Sequence, residues 1–387
     1  MQAIHRRDAL KGIAALAAGA MIAERWVTAA ENLSAPPRTD ARIPLLHLTD
    51  LYHPPQDPDD HIDLAAIVGL AEYDLRGVVL DITQKFLVAA PEGWDIPREP
   101  GYIAVSQLAR ITSRDIPAAM GPTAPLANPS DTASDRPRAE QAGIALLLEV
   151  LAGSREPVTI SVVGSARVLA AAFNREPALV RAKTRVVLLN AGSTGGSNRE
   201  WNVALDPAAY VALWRSGLPL HWFPCATDRG AFDPVPERGT YWRATNRALF
   251  AELPAPLRAW FGYAFTGAQH GDFDRALAEN GRGPAWEKVL TGERNLWSIA
   301  SLVIGAGRVL ARTAAGWRFV PAGGTGGAEQ WAWRLDPIRA TVDDDGRVAW
   351  RVVAEPAGNR IFGRREGAGY GTAMAEALNA LLREIRV

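Results

Sequence analysis

The stretch Thr49-Asp50-Leu51-Tyr52-His53-Pro54-Pro55-Gln56-Asp57-Pro58-Asp59-Asp60-His61-Ile62-Asp63 places five aspartates within fourteen positions. Carboxylates this close repel one another unless a cation or a shared proton offsets the charge, so a hard divalent metal is the natural inference. In the plainer alternative, Asp57 or Asp59 caps the following helix and the others are solvated. Asp57 and Asp63 fit that alternative; Asp50, Asp59 and Asp60 are read as the residues that carry chemistry. His47, His53 and His61 raise a transition-metal alternative, but His47 lies in an apolar run and reads as a core histidine, with His53 and His61 as supports of the aspartates. Cys225 is the single cysteine, so neither an intramolecular disulfide nor a zinc site with several thiolates can form. Cys225 has no recognisable histidine partner and reads as buried, as does His221 in the apolar run Leu218 to Phe223. The loop Gly192 to Asn198 is only loosely like a phosphate cradle and lacks the P-loop lysine.

These residues need elements to hold them. Strands are expected at Pro44 to Leu48, Leu75 to Leu80, Pro117 to Met120, Val158 to Val163 and Arg185 to Leu189. Helices are expected at Leu64 to Leu70, Val105 to Ile111, Ala139 to Leu151 and Val168 to Phe173. This β-α-β alternation predicts an α/β fold: a mostly parallel, Rossmann-like open sheet flanked by helices, with ligands bound beyond the carboxyl ends of the strands. The last third changes character. Trp317 to Val320, a Gly-rich loop, and Ile338 to Val342 with Val348 to Val353 around Asp343-Asp344-Asp345-Gly346 read as a β-rich elaboration, closed by a helix over Ala373 to Ile385. The expected organisation is an export signal at 1–30, a linker at 31–44 and one large domain over 45–387, with the elaboration at 311–387.

The chain has 387 residues, 48% of them hydrophobic and 22% charged, which excludes global disorder. Lys plus Arg and Asp plus Glu both total 42, so no overall field attracts nucleic acid or an anionic membrane. At the start, His5-Arg6-Arg7-Asp8-Ala9-Leu10-Lys11 precedes an apolar run from Gly12 to Ala23 that is too short to span a bilayer. The paired arginines look like a twin-arginine export signal, with Val27-Thr28-Ala29 as a cleavage site, which predicts a periplasmic or extracellular protein without stable membrane insertion.

Thr-Asp at a strand end followed by Asp-Asp at a helix start resembles the aspartate cluster of the inosine-uridine preferring nucleoside hydrolases, the N-ribohydrolase family. Later segments follow the family's order. Arg114 to Gly121 resembles its short third strand, Ile160 to Ala170 its "GPLTNLA" strand-turn-helix, and Arg199 to Pro207 its "AEFNIYVDP" segment, so that the match spans about residues 45 to 310. The resemblance implies hydrolysis of the N-glycosidic bond of a ribonucleoside or related riboside, with Ca²⁺ as cofactor and a dimer or tetramer as the assembly. It assigns Asp50 and Asp60 to the metal, together with the main-chain carbonyl at Arg167. Asp59 falls beside the ribose hydroxyls, and Asp50 is the candidate base. Glu200, Asn202, Asn198 and Gln84 match sugar contacts. The chain also departs from the pattern. Eight residues separate Asp50 from Asp59 where the family usually has three. Ser298 stands where a late aspartate ligand is expected, and Trp297 replaces a histidine that protonates the leaving base. Trp297 reads either as a stacking surface for the aglycone or as core packing. These departures leave two other readings open: a ribosyl- or sugar-binding homologue with weakened or lost chemistry, and a hydrolase of another glycoside. An acidic residue near Ser298, such as Asp228, Asp233 or Glu293, would favour the enzyme.

Overall fold

In the computed structural model the described residues are 42–55, 58–87, 98–195, 200–234, 237–266, 272–365 and 367–387. The export signal, most of the linker, Asp57 and Asn198 lie outside them.

Strand β1 (Ile43–Thr49) is buried at all seven positions, because a central parallel strand is covered on both faces. It pairs in parallel with β2 (Tyr73–Leu80) on one side and β4 (Val158–Val162) on the other. Further out lie β3 (Ala118–Met120) beyond β2, then β5 (Thr184–Leu189) and β6 (Leu220–Trp222) beyond β4, all parallel. The order β3-β2-β1-β4-β5-β6 is that of a doubly wound sheet, and it reverses direction between β1 and β4. That reversal opens a crevice outside the strand ends. The residues after β1 therefore stand at the natural ligand position of the fold.

The C-terminal strands extend this same sheet. β13 (Arg360–Arg364) runs parallel to β6, and β11 (Trp333–Val342) and β12 (Val348–Val352) follow antiparallel. The expected hairpin is present, with Asp343 Oδ1 accepting from the backbone N–H groups of Asp345 and Arg347 and Gly346 at φ 83°. Two smaller antiparallel pairs stand apart: β7 (Trp242–Thr245) with β8 (Glu293–Leu296), and β9 (Arg308–Thr313) with β10 (Gly316–Pro321).

Helices bury an apolar face against each side of the sheet. The helices Asp59–Gly69, Ile299–Gly305 and Tyr370–Arg383 share one cluster of buried side chains. Ala142–Gly153, Arg167–Arg175 and Pro207–Arg215 share another. The first helix begins at Asp59, ahead of the expected Leu64, so both Asp59 and Asp60 lie in its first turn, where the positive end of the helix dipole favours carboxylates. Among the described residues no helix is long and apolar enough to cross a membrane.

Candidate active site

Asp50 is the first residue after β1. Opposite it, at the end of β4, Gly164 has no side chain: a Cβ there would lie 3.0 Å from the Asp50 backbone nitrogen and 3.3 Å from Oδ1. A glycine here lets the two strand ends approach closely, since any side chain would press on Asp50. Thr49 Oγ1 donates to Asp60 Oδ1 at 2.7 Å and accepts from the Leu51 N–H at 3.1 Å, tying the strand end to the helix start. The Asp60 N–H in turn donates to Asp59 Oδ1 at 3.1 Å. Burial, then the neighbouring charge of Asp59, with smaller contributions from Asp81 and Glu200, hold the Asp50 carboxyl far above the usual carboxylate range. The side-chain charges acting on Asp50 are all acidic.

Glu200 is buried and caps the short helix Trp201–Leu205, accepting from the N–H groups of Asn202 at 3.1 Å and Gly192 at 2.8 Å. Its carboxyl is pushed up to about 7 by burial, against the downward pull of these hydrogen bonds. Asn202 Nδ2 donates to the carbonyls of Asn190 at 2.9 Å and Val163 at 3.4 Å, anchoring it to the ends of β5 and β4. Gln84 is exposed in the 3₁₀ turn Gln84–Phe86 that follows β2.

Arg167 opens the helix Arg167–Arg175, and its fully buried side chain does work the sequence did not suggest. Nε donates to Asp206 Oδ2 at 2.9 Å, Nη1 to the Pro122 carbonyl at 2.8 Å, and Nη2 to Thr83 Oγ1 at 3.1 Å. Asp81 Oδ1 lies 3.8 Å from Nη1. One guanidinium therefore fastens the loops after β2 and β3 to the end of the helix that carries Asn202. Burial raises the Asp81 carboxyl to about 6 although Arg167 opposes the shift. Asp81 had a legible signal, since it follows β2 as Asp50 follows β1.

Asp63 corrects the sequence reading. Neither capping nor solvated, it is 2% exposed and accepts a hydrogen bond from Ser298 Oγ across two helices. Its Oδ1 is buried with no hydrogen-bond partner, and burial pushes its carboxyl up to about 7. Ser298 is thus a partner of Asp63. Two of the three carboxylates named as stand-ins are engaged elsewhere: Asp233 Oδ2 accepts from Thr227 at 2.7 Å and from Arg229 at 2.9 Å, and Glu293 pairs with Arg243. Trp297 is half-buried. Its Nε1 donates to the Ala231 carbonyl at 3.0 Å, and its ring meets Tyr241 and the 62% exposed Phe232 at centroid distances of 5.5 and 5.7 Å.

The three histidines near the cluster are all buried, and burial lowers each to about 3, so they are neutral at ordinary pH. His47 faces Ser161 Oγ at 3.4 Å and His53 stacks on Tyr263 at 4.4 Å, and the His61 ring lies 5.3 Å from Trp260. Cys225 is buried, as expected.

Among the described residues no three His, Cys, Asp or Glu side chains converge into a ready metal cage. The donor chemistry still suits a hard cation. Asp50, Asp59 and Asp60 offer only oxygen, and the charges around Asp50 are acidic, so a cation completed by water or sugar hydroxyls would offset a repulsion that is already built in.

No protein-family model matches the chain. It is 30% identical over 184 residues to the pyrimidine-specific ribonucleoside hydrolase RihA of Enterobacter sp. (strain 638), covering 42% of this chain and 56% of that protein. It is 28% identical over 193 residues to the non-specific ribonucleoside hydrolase RihC of Salmonella newport (strain SL254), covering 45% and 60%. The chain thus spans less than two thirds of the length of these curated relatives. Among solved structures, the purine-preferring ribonucleoside hydrolase from Gardnerella vaginalis superposes with a TM-score of 0.50 at 14% identity, over 88% of this chain and 99% of that one. The fold is that of the nucleoside hydrolases: a large, mostly parallel sheet flanked by helices, with an antiparallel addition at its C-terminal edge. The sequence relatives support kinship with that family.

Proposed function

We propose that this protein hydrolyses the N-glycosidic bond of a ribonucleoside or a related riboside. The observation that carries the reading is Asp50, half-buried beside Asp59 at the point where the sheet reverses, with its carboxyl raised toward the range of a working base. Asp50 accepts the proton of the attacking water, and Asp59 holds the ribose hydroxyls. Asn202 commits its amide N–H groups to backbone carbonyls, which leaves Oδ1 to accept from a sugar hydroxyl. Glu200 fixes the turn that presents it, while Gln84 and Asn198 add sugar contacts. Asp50, Asp60 and the main-chain carbonyl of Arg167 would hold Ca²⁺. When bound, Ca²⁺ supplies Lewis-acid polarisation of water and of the ribose diol. The aromatic trio of Trp297, Tyr241 and Phe232 supplies a face for the leaving aglycone. The same reading takes the N-terminal segment as an export signal and the assembly as a dimer or tetramer.

A second reading rests on the Ser298–Asp63 pair: a riboside-binding protein that has lost turnover with its late carboxylate. One experiment separates the two. Ribose release from inosine and uridine is measured with Ca²⁺ and with chelator, on the natural chain and on Asp50→Asn. The hydrolase reading expects chelator-sensitive release that falls by about 10²–10⁴-fold in the variant. Ribose binding without release from any nucleoside would establish the binding protein instead.

A further inference from the structure

Three loops at the carboxyl edge of the sheet each carry candidate site residues and one aromatic ring. Asp50 is followed by Tyr52, Gln84 by Phe86, and Glu200 and Asn202 flank Trp201. The rings meet. Tyr52 and Phe86 stack at 5.4 Å with planes 13° apart, and Phe86 meets Trp201 at 5.9 Å. Ile82 and Leu205 pack with Tyr52 and Phe86, whereas Trp201 is 56% exposed beside the buried Glu200.

Two cations cover this platform. Lys85 Nζ sits 4.5 Å from the Trp201 ring centre and 5.0 Å from that of Phe86. The Arg98 guanidinium sits 5.5 Å from the Tyr52 ring centre. Its position is built in: the backbones of His53 and Glu99 bond to each other in both directions, at 2.8 and 2.9 Å, which sets Arg98 beside Tyr52. Arg98 Nε is buried without a hydrogen-bond partner. Leaving a charged donor buried and unsatisfied is costly, and a cation held on a ring face keeps its N–H groups for an oxyanion. A neutral sugar offers these cations only uncharged acceptors. A phosphate monoester offers several charged acceptor oxygens of the kind that guanidinium and ammonium groups recognise.

We propose that the site takes a riboside bearing a phosphate monoester, with the sugar over Asp50 and Asp59 and the phosphate held by Lys85 and Arg98 at the aromatic rim. The inference deepens the riboside reading above and rests on it for the sugar's position. It narrows the substrate class from neutral nucleosides to their phosphorylated forms.

The test uses the full chain and two ligands that need no turnover, ribose and ribose 5-phosphate, titrated by calorimetry with Ca²⁺ present. The phosphorylated sugar is expected to bind at least about tenfold more tightly, the gain of one charge-assisted hydrogen bond. That ratio collapses toward one in Lys85→Ala/Arg98→Ala and persists in the charge-preserving Lys85→Arg. Equal affinities in the natural chain, or a preference that survives the double alanine variant, overturns the proposal. Turnover of uridine and of uridine 5′-monophosphate then distinguishes the two levels. A phosphate preference in binding with neither compound hydrolysed removes the hydrolase while the phosphate site stands. Hydrolysis of uridine with no phosphate preference removes the phosphate site alone.

Discussion

Ser298 shows how one hydroxyl sets the surroundings of a buried carboxyl. A serine cannot neutralise a cation, but its hydroxyl donates to Asp63, a carboxyl that burial has already pushed up to about 7. Ser298→Ala removes the donor and leaves a second unsatisfied oxygen on Asp63, so urea denaturation should show a loss of about 1–3 kcal/mol. Ser298→Asp sets two buried carboxyls side by side. It should destabilise the protein in chelator, and Ca²⁺ should recover part of the loss if the new carboxylate joins a cation site. A Ca²⁺-independent melting temperature in that variant would separate Ser298 from the metal altogether. Arg167 is the opposite case, a charge the site depends on from below. Arg167→Met leaves Asp81 and Asp206 buried and facing one another, and removing one partner of a buried ion pair costs about 3–5 kcal/mol. The denaturation midpoint reads this directly. The clustering of Asp50, Asp59 and Asp60 was legible because repulsion within one short segment is visible in the sequence. Asp63 and Arg167 were not, since their partners lie 235 and 39 residues away, a separation that spacing does not encode.

Among elements, the strand ends were legible and the turns that aim them less so. Continuous apolar runs marked β1, β4 and β5 within a residue or two, because strands covered on both faces have no alternation to misread. The first helix was placed late. Its opening turn is Asp59-Asp60-His61, which reads as polar loop until the dipole and the core contacts of His61 are known. The turn after β5 was read only as a loose likeness to a phosphate cradle. Gly192 there has φ +86°, its N–H donates to Glu200 at 2.8 Å, and a Cβ would fall 2.1 Å from the Tyr210 hydroxyl. Gly192→Ala must therefore strain the backbone and displace Tyr210, at a cost of about 1–2 kcal/mol for the left-handed conformation alone. Because Glu200 caps the helix that carries Asn202, kcat/KM for a riboside should fall further than stability does. Natural kcat/KM in a destabilised variant would show that this turn does not position the sugar contacts.

At the scale of the whole molecule, the sheet gathers groups whose burial pulls stability in opposite directions as pH changes. His47, His53 and His61 fall from 6.5 to about 3 on folding, so the unfolded chain binds more protons between those values and stability drops as pH falls through them. Asp63 and Glu200 rise from 3.8 and 4.5 to about 7, so here the folded chain binds more protons and stability drops as pH climbs through that window. Each group contributes up to about 1.4 kcal/mol per pH unit within its own window. Between about pH 4.5 and 6.5 the two sets, three imidazoles against two carboxyls, oppose each other and the melting temperature should change less per pH unit than on either side. Below about pH 4 only the histidines still titrate, and above about 6.5 only the acids, so stability should fall on both sides. Ca²⁺ should lift the alkaline limb alone, because a cation beside Asp50 and Asp60 favours ionised carboxyls and has no counterpart at the neutral imidazoles. Calorimetric melts across pH 3.5 to 8, with Ca²⁺ and with chelator, read both limbs, and Glu200→Gln should flatten the alkaline one. An alkaline limb unchanged by Ca²⁺ would mean that the acidic cluster carries its charge with protons rather than with metal, and that Asp50 enters its reaction from the protonated side.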